Sequence, residues 1–233
     1  ANLWYGSVLI NWKDGWEVLT TGGVKGSFAS VVVLEYRLPQ AITAMATGMS
    51  LGVAGLLLQT LFRNPLAGPS VLGISSGASL GVALVVLAGG FLNIDLFASA
   101  SILGNLGLVI AAYAGSLILL AFILFVSKKI GNIVTVLIIG IMIGYMVSAI
   151  VGVLQFFSRA EELHAYVLWG LGSFSKTSLF QSIFLMIFTL AGLIIAGFYI
   201  KPLNALLLGE RYAKSIGVNT RLVQTGIIVV TGF

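Results

Sequence analysis

The sequence predicts an all-α protein, a polytopic bundle of transmembrane helices, and three observations carry that reading. Hydrophobic residues fill 59% of the 233 positions and charged residues 8%, whereas soluble domains carry about 25% charged residues. The mean hydropathy is +1.11. Apolar runs of roughly 20 residues, enough helix to cross about 30 Å of hydrocarbon, recur along the chain. None shows the alternation over about 10 residues that marks a barrel strand.

The runs predict spans over 39–62, 69–90, 98–126, 133–157 and 178–200, with another over 222–233, all in one domain covering 1–233. Pro65 lacks an N–H and biases Asn64 away from the helical region, so the first span is expected to end near Phe62. Pro69 suits the first turn of the next, where its missing donor would be unpaired anyway. The first residues, Ala1–Ile10, lack the basic start and cleavage site of a signal peptide. The missing initiator Met, and an end at Phe233 inside an apolar run, suggest a fragment without its first and later helices.

The formal charge of +5 is better read by side than by sum. Arg37 and Arg63 flank the first span and so fall on opposite faces. With Arg63 go Lys128, Lys129, Lys201, Arg211, Lys214 and Arg221, against Glu210. The other side mixes Lys13, Lys25, Arg37, Arg159 and Lys176 with Asp14, Glu17, Glu35, Asp95, Glu161 and Glu162. The positive-inside bias therefore makes the Arg63 side cytoplasmic. The charge reports orientation, and no clustered basic face with aromatics calls for nucleic acid.

Two segments depart from simple spans. Residues 165–177, with Trp169, Gly170, Gly172 and Lys176, are apolar but interrupted, and are expected as a short helix or re-entrant piece at the outer interface. Residues 202–218 mix Leu206, Leu207, Leu208, Ala213, Ile216 and Val218 with Glu210, Arg211 and Lys214, a cytoplasmic amphipathic segment suited to lipid or to a partner groove.

Small residues recur every four positions. Ala44, Gly48 and Gly52 form one stripe, Gly73, Gly77 and Gly81 a second, and Gly140, Gly144, Ser148 and Gly152 a third. Such stripes let helices approach closely where lipid supplies no hydrophobic drive. They can equally line a passage that changes width.

Bond chemistry finds little support. Gly73-Ile74-Ser75-Ser76-Gly77 matches the pattern of a hydrolase nucleophile elbow but lacks its strand–turn–helix setting and nearby Asp and His. No catalytic residue and no metal site is expected: His164 beside Glu161 and Glu162 lacks a ligand set, and the chain has no cysteine. There is no phosphate-binding loop of the Walker type. No Asp, Glu, Lys or Arg sits at mid-depth in a span, where ion-coupled carriers place them.

Taken together, certain runs resemble a known family. They are Arg37-Leu38-Pro39, the series Gly48, Gly52, Gly55 and Gln59, then Arg63-Asn64-Pro65-Leu66-Ala67 with Pro69, Gly73 and Gly77. Trp169-Gly170, Gly172-Ser173 and the stretch from Leu208 to Val218 follow. These are similar to the permease subunits of bacterial ATP-binding-cassette importers for iron–siderophore complexes, haem and vitamin B12. The resemblance implies a type II importer permease of about ten spans, of which this chain would supply the second to the sixth and the start of the seventh.

It further implies a multi-pass protein of the bacterial cytoplasmic (inner) membrane, in contact with lipid and paired with a second permease subunit, the same or a related one. A soluble substrate-binding protein would dock outside. ATP and Mg would be bound by partner ATPase subunits and no cofactor by this chain. Residues 202–218 become the ATPase-coupling element, with Leu207, Leu208, Gly209, Glu210, Ala213, Lys214, Ile216 and Gly217 as its contacts. Arg37 falls on the first arginine of the family's docking motif; the second is Gln40 here. The stripe of Gly140, Gly144, Ser148 and Gly152 is the chosen wall of the pathway, or packs on a neighbour. The alternative is a secondary transporter that works without an ATPase.

Overall fold

A computed structural model describes residues 10–21, 27–87, 102–130, 132–175 and 177–232. Every regular element among them is helical, as the fold class requires. Helix α1 covers Trp12–Thr21 and helix α2 runs through Phe28–Phe62. A 3-10 turn, Pro69–Leu72, leads through Gly73 into α3, Ile74–Val86. Then come α4 (Ile102–Ile130), α5 (Ile133–Phe157), α6 (Ala160–Leu171) and α7 (Leu179–Phe198). Two short helices, α8 (Ile200–Leu208) and α9 (Glu210–Ser215), precede α10 (Thr220–Gly232).

Among the described residues, four helices are long and apolar enough to cross a membrane: Phe28–Phe62, Gly107–Ile130, Ile133–Phe157 and Leu179–Phe198. The 13-residue α3 reaches about 20 Å at 1.5 Å per residue.

Several helix limits differ from the expected spans. The first span does not begin at Pro39. Helix continues back to Phe28 through a π-helical turn, Val32–Arg37, in which Leu38 N–H donates to the Val33 carbonyl. A proline ring clashes with the carbonyl four residues back in an α-helix. The wider turn just before Pro39 relieves that crowding, and such turns occur as single inserts within helices.

Elsewhere the limits move for other reasons. The span expected at 69–90 starts as 3-10 helix, because Gly73 has φ +74° and only its far side is α-helical; the limits at 90 and 98 lie outside the described residues. Helix α4 extends past 126 to Ile130, with Lys128 and Lys129 in its last turn, where cations favour the dipole and long stems let the charge reach water. Helix α5 matches 133–157, and Asn132 caps it by accepting from Val134 N–H at 3.0 Å.

The piece expected at 165–177 is a helix that starts earlier, at Ala160, and draws in the charged patch. Glu161 and Glu162 sit in its first turn, and Glu162 Oε2 accepts from Arg159 N–H at 3.1 Å. Acids at a helix start complement its dipole. The span 178–200 ends at Phe198 and the span from 222 begins at Thr220.

The chain forms two compact units, 1–52 with 173–194 and 53–172 with 195–233. In the first, Ser50 and Thr189 share a hydroxyl hydrogen bond of 3.0 Å between α2 and α7. The second holds the main core, in which Leu58, Leu72, Leu87, Ile123, Ile227 and Ile228 are fully buried.

The glycine stripe on α3 explains how that core closes. A Cβ on Gly77 would lie 2.5 Å from the Gly115 carbonyl oxygen, and one on Gly81 would lie 2.1 Å from that of Ala111. Helices α3 and α4 therefore touch backbone to backbone, an approach that small residues alone permit.

Candidate functional site

The loop after α2 is built by its backbone. Arg63 has φ +49°, left-handed and unusual for a residue with a side chain. Its N–H donates to the Thr60 carbonyl at 3.3 Å, and Asn64 N–H donates to the Gln59 carbonyl at 3.1 Å. This pair of bonds is a Schellman cap, whose left-handed residue is most often glycine.

Asn64 Oδ1 then accepts from Leu66 N–H at 2.9 Å, and the Asn64 carbonyl accepts from Ala67 N–H at 3.1 Å. Such local bonds are why Asn favours turns. Ala67 is buried at 2% while Leu66 is 85% exposed. Gln59 itself is exposed, and Pro69 opens the 3-10 turn. The run 63–67 is thus a helix stop followed by an Asn-stabilised turn.

The expected coupling element is two short helices joined at Gly209. Pro202 falls in the first turn of α8, where its missing N–H costs nothing. Gly209 has φ +129° and ψ 146°, a region that is essentially glycine-only. Helix α9 ends in a second Schellman cap: Gly217, with φ +87°, donates to the Lys214 carbonyl at 3.1 Å and Val218 N–H to that of Ala213 at 2.9 Å.

Leu206, Ala205 and Ala213 form a small core with Val218 and Val223. Ala213, expected among the contact residues, is fully buried inside the element. The outer face carries Leu207 at 54%, Leu208 at 71% and Ile216 at 54% exposure.

Two polar networks meet here. Arg63 donates from Nη2 to the Leu206 carbonyl at the end of α8. Glu210 accepts from Lys214 Nζ at 2.8 Å and from Thr220 Oγ1 at 3.4 Å. The Lys214 hydrogen bond holds the Glu210 carboxyl below its usual range; partial burial pushes it up, and the Lys214 charge, the Thr220 hydroxyl and the Arg63 charge lower it further. Arg63, Asn132, Ile133, Val134, Leu206, Glu210 and Gln224 line a cavity of about 380 Å³.

The third small-residue stripe divides. A Cβ on Gly140 would meet the Val71 carbonyl oxygen at 3.0 Å, and one on Gly144 would meet Ser76 Oγ at 3.4 Å, so this half packs. Nothing described lies within 4 Å of a Cβ on Gly152. Ser148 lines a second cavity of about 380 Å³ with Ser75, Ser76, Ser79, Gln155 and Tyr166. The Ser79 hydroxyl and the Tyr166 hydroxyl are hydrogen-bonded across it, from α3 to α6.

Sequence reasoning chose Ser148, met Ser75 and Ser76 only in a rejected hydrolase motif, and passed over Ser79 and Tyr166 altogether. Three serines at 75, 76 and 79 on a predicted span were the available signal.

Arg37 is not in a loop. It lies in the π turn of α2 and is 6% exposed. The reason is again the helix carrying through Pro39. His164 is exposed on α6, and among the described residues no three His, Cys, Asp or Glu side chains stand together.

The comparisons with known proteins agree with this architecture. A haemin transport permease of Yersinia pestis, HmuU, is 34% identical over 203 residues, covering 85% of this chain and 58% of its own length. The vitamin B12 import permease BtuC of Serratia proteamaculans is 32% identical over 209 residues, with 89% and 59% covered. The chain thus spans about three fifths of these relatives. A solved structure described as a metal-chelate type ABC transporter, in an inward-facing conformation, superposes with a TM-score of 0.80 at 26% identity, over 99% of this chain and 67% of that one. Residues 1–233 match the model of one transport family throughout, and with helices, caps and relatives in agreement, the chain belongs to the FecCD transport family.

Proposed function

We propose that this chain is part of the membrane-spanning permease subunit of an ATP-driven importer that carries an iron–siderophore, haem or cobalamin-type chelate across the bacterial cytoplasmic membrane. The observation that carries the reading is the segment 200–218. Its two helices hold each other through Leu206 and Ala213 and leave Leu207, Leu208 and Ile216 exposed. An apolar knob of this kind fits a groove on a partner.

The partner is an ATPase subunit, which binds ATP and Mg. The basic side chains Lys128, Lys129, Lys201, Arg211 and Lys214 support a cytoplasmic position for this end through the positive-inside bias. A second permease subunit and a soluble binding protein complete the importer.

In this reading the chain breaks no bonds. ATP energy reaches it only through contacts of the exposed leucines that differ between nucleotide states of the ATPase. Ser148 and Gly152, on the open half of the stripe, face the pathway, while Gly140 and Gly144 hold the wall together. The haemin and vitamin B12 relatives, and the metal-chelate transporter, support the substrate class.

The test is uptake of haemin and of cobalamin by proteoliposomes holding the full-length permease with its ATPase. Uptake that requires ATP inside and the ATPase subunit is expected. Uptake by the permease alone would replace this reading with a secondary carrier.

A further inference from the structure

We propose that Arg63 is the tie that makes the loop 63–68 and the coupling segment 200–218 move as one body, so that a displacement imposed on Leu207 and Leu208 reaches the end of α2; this rests on the importer reading above. Three observations lead there. The first is conformational. Arg63 occupies the left-handed position of a Schellman cap, where a residue with a Cβ is disfavoured relative to glycine. The cap fixes the direction in which the side chain leaves the backbone.

The second is chemical. The guanidinium donates to the carbonyl of Leu206 in the last turn of α8. That carbonyl also accepts from Gly209 N–H at 3.1 Å, and carbonyls at a helix end carry partial negative charge that favours a cation beside them. Glu210, at the start of α9, lines the same cavity as the guanidinium; its carboxyl is held low first by the Lys214 hydrogen bond and least by the Arg63 charge. Arginine, with five donors in a rigid fork, suits such a junction better than lysine.

The third is the space around it. The seam between Arg63 and the coupling segment is a cavity of about 380 Å³, lined also by Asn132, Ile133, Val134 and Gln224. The helices α8 and α9 pack chiefly on each other and on α10. Leu61 and Phe62 line the cavity as well, and Leu203 of α8 shares the main core with them and with Ala67; the bond of Arg63 is the polar tie beside that packing, reaching the end of α8.

The experiment uses the full-length permease with its ATPase in lipid nanodiscs, spin-labelled through Leu66→Cys and Ser215→Cys. Residues 1–233 contain no cysteine that would take a stray label. Distances are read by double electron–electron resonance without nucleotide and after trapping with ADP and vanadate. The account expects one narrow distance, the same in both states. In Arg63→Ala it expects a broadened distance that shifts on trapping.

A wild-type distance that changes between the states, or an Arg63→Ala distance as narrow and constant as the wild type, overturns the proposal. Should Arg63→Ala fail to insert, Arg63→Gln takes its place and the wild-type comparison still decides. Failure of any ATPase to co-purify would instead remove the importer reading and leave the wild-type distance unaffected.

Discussion

The guanidinium of Arg63 closes on the carbonyl of Leu206 across 143 positions of sequence. This bond ties the run from Arg63 to Ala67, which resembles the importer permeases, to the last turn of α8, two residues before the second such run, Leu208 to Val218, begins. Each stretch looked complete alone: the first read as a helix stop, the second as an amphipathic segment. Their meeting turns two local motifs into one site.

Gly209 fixes the angle between α8 and α9 with a backbone that side chains resist. Strain of this kind costs about 1–3 kcal/mol. Gly209→Val should therefore insert normally in the membrane yet lose most ATP-dependent uptake in vesicles. Normal uptake would show that the joint does not serve coupling.

The coupling face and its small core should separate under mutation. Leu207→Asp with Leu208→Asp changes exposed positions, so folding should be kept while ATPase binding falls. Ala213→Asp places a charge at a fully buried position, and a buried unpaired charge is strongly destabilising. Trypsin cleavage at Arg211 and Lys214 should speed up in the second variant and stay at the wild-type rate in the first.

Glu210 gives the segment a pH dependence whose sign is set. Its folded pKa is lowered, first by the Lys214 hydrogen bond. The stabilisation is therefore present above the ordinary Glu value of about 4.3 and is lost as pH falls through the lower folded value. Because the carboxylate is half exposed, the effect is small. Hydrogen exchange of 205–220, corrected for its intrinsic rate, should be flat from pH 7 to about 5 and rise below; in Glu210→Gln it should be faster and lack that step.

The small residues should fall into two classes. Gly77→Ala and Gly81→Ala push a methyl into carbonyl oxygens of α4, and overpacking costs about 1–3 kcal/mol. Gly48 has nothing described within 4 Å, and Gly→Ala in an open helix gains up to about 1 kcal/mol. Thermal unfolding in detergent, followed by loss of the monodisperse peak, should drop for the first two and hold or rise for Gly48→Ala.

How much of this was legible beforehand follows from where the physics is local. Helix α5 could be bounded to the residue from its apolar run alone, and the structure adds the Asn132 cap at its start. Arg37 was misplaced because a π turn is a response to crowding at Pro39 and leaves no compositional mark. The piece expected from 165 starts at Ala160 instead, and two acids in a first turn are what a helix start prefers.

In the site the exposed leucines were visible and the inward turn of Ala213 was not, since their spacing suits either face. The stripes showed that helices would approach closely, but only the partner backbones at Gly115 and Ala111 tell which glycines pack. The bond from Arg63 to Leu206 was beyond reach, because nothing in either segment names the other.

The most direct test of the account is co-purification of the full-length permease from native membranes in mild detergent, wild type beside the Leu207→Asp, Leu208→Asp double variant. The account predicts that an ATPase subunit accompanies the wild type and is lost from the variant, while the variant itself is recovered in equal amount. An ATPase retained by the variant would contradict the docking role of the segment, and a wild-type permease recovered without any ATPase would contradict the importer itself.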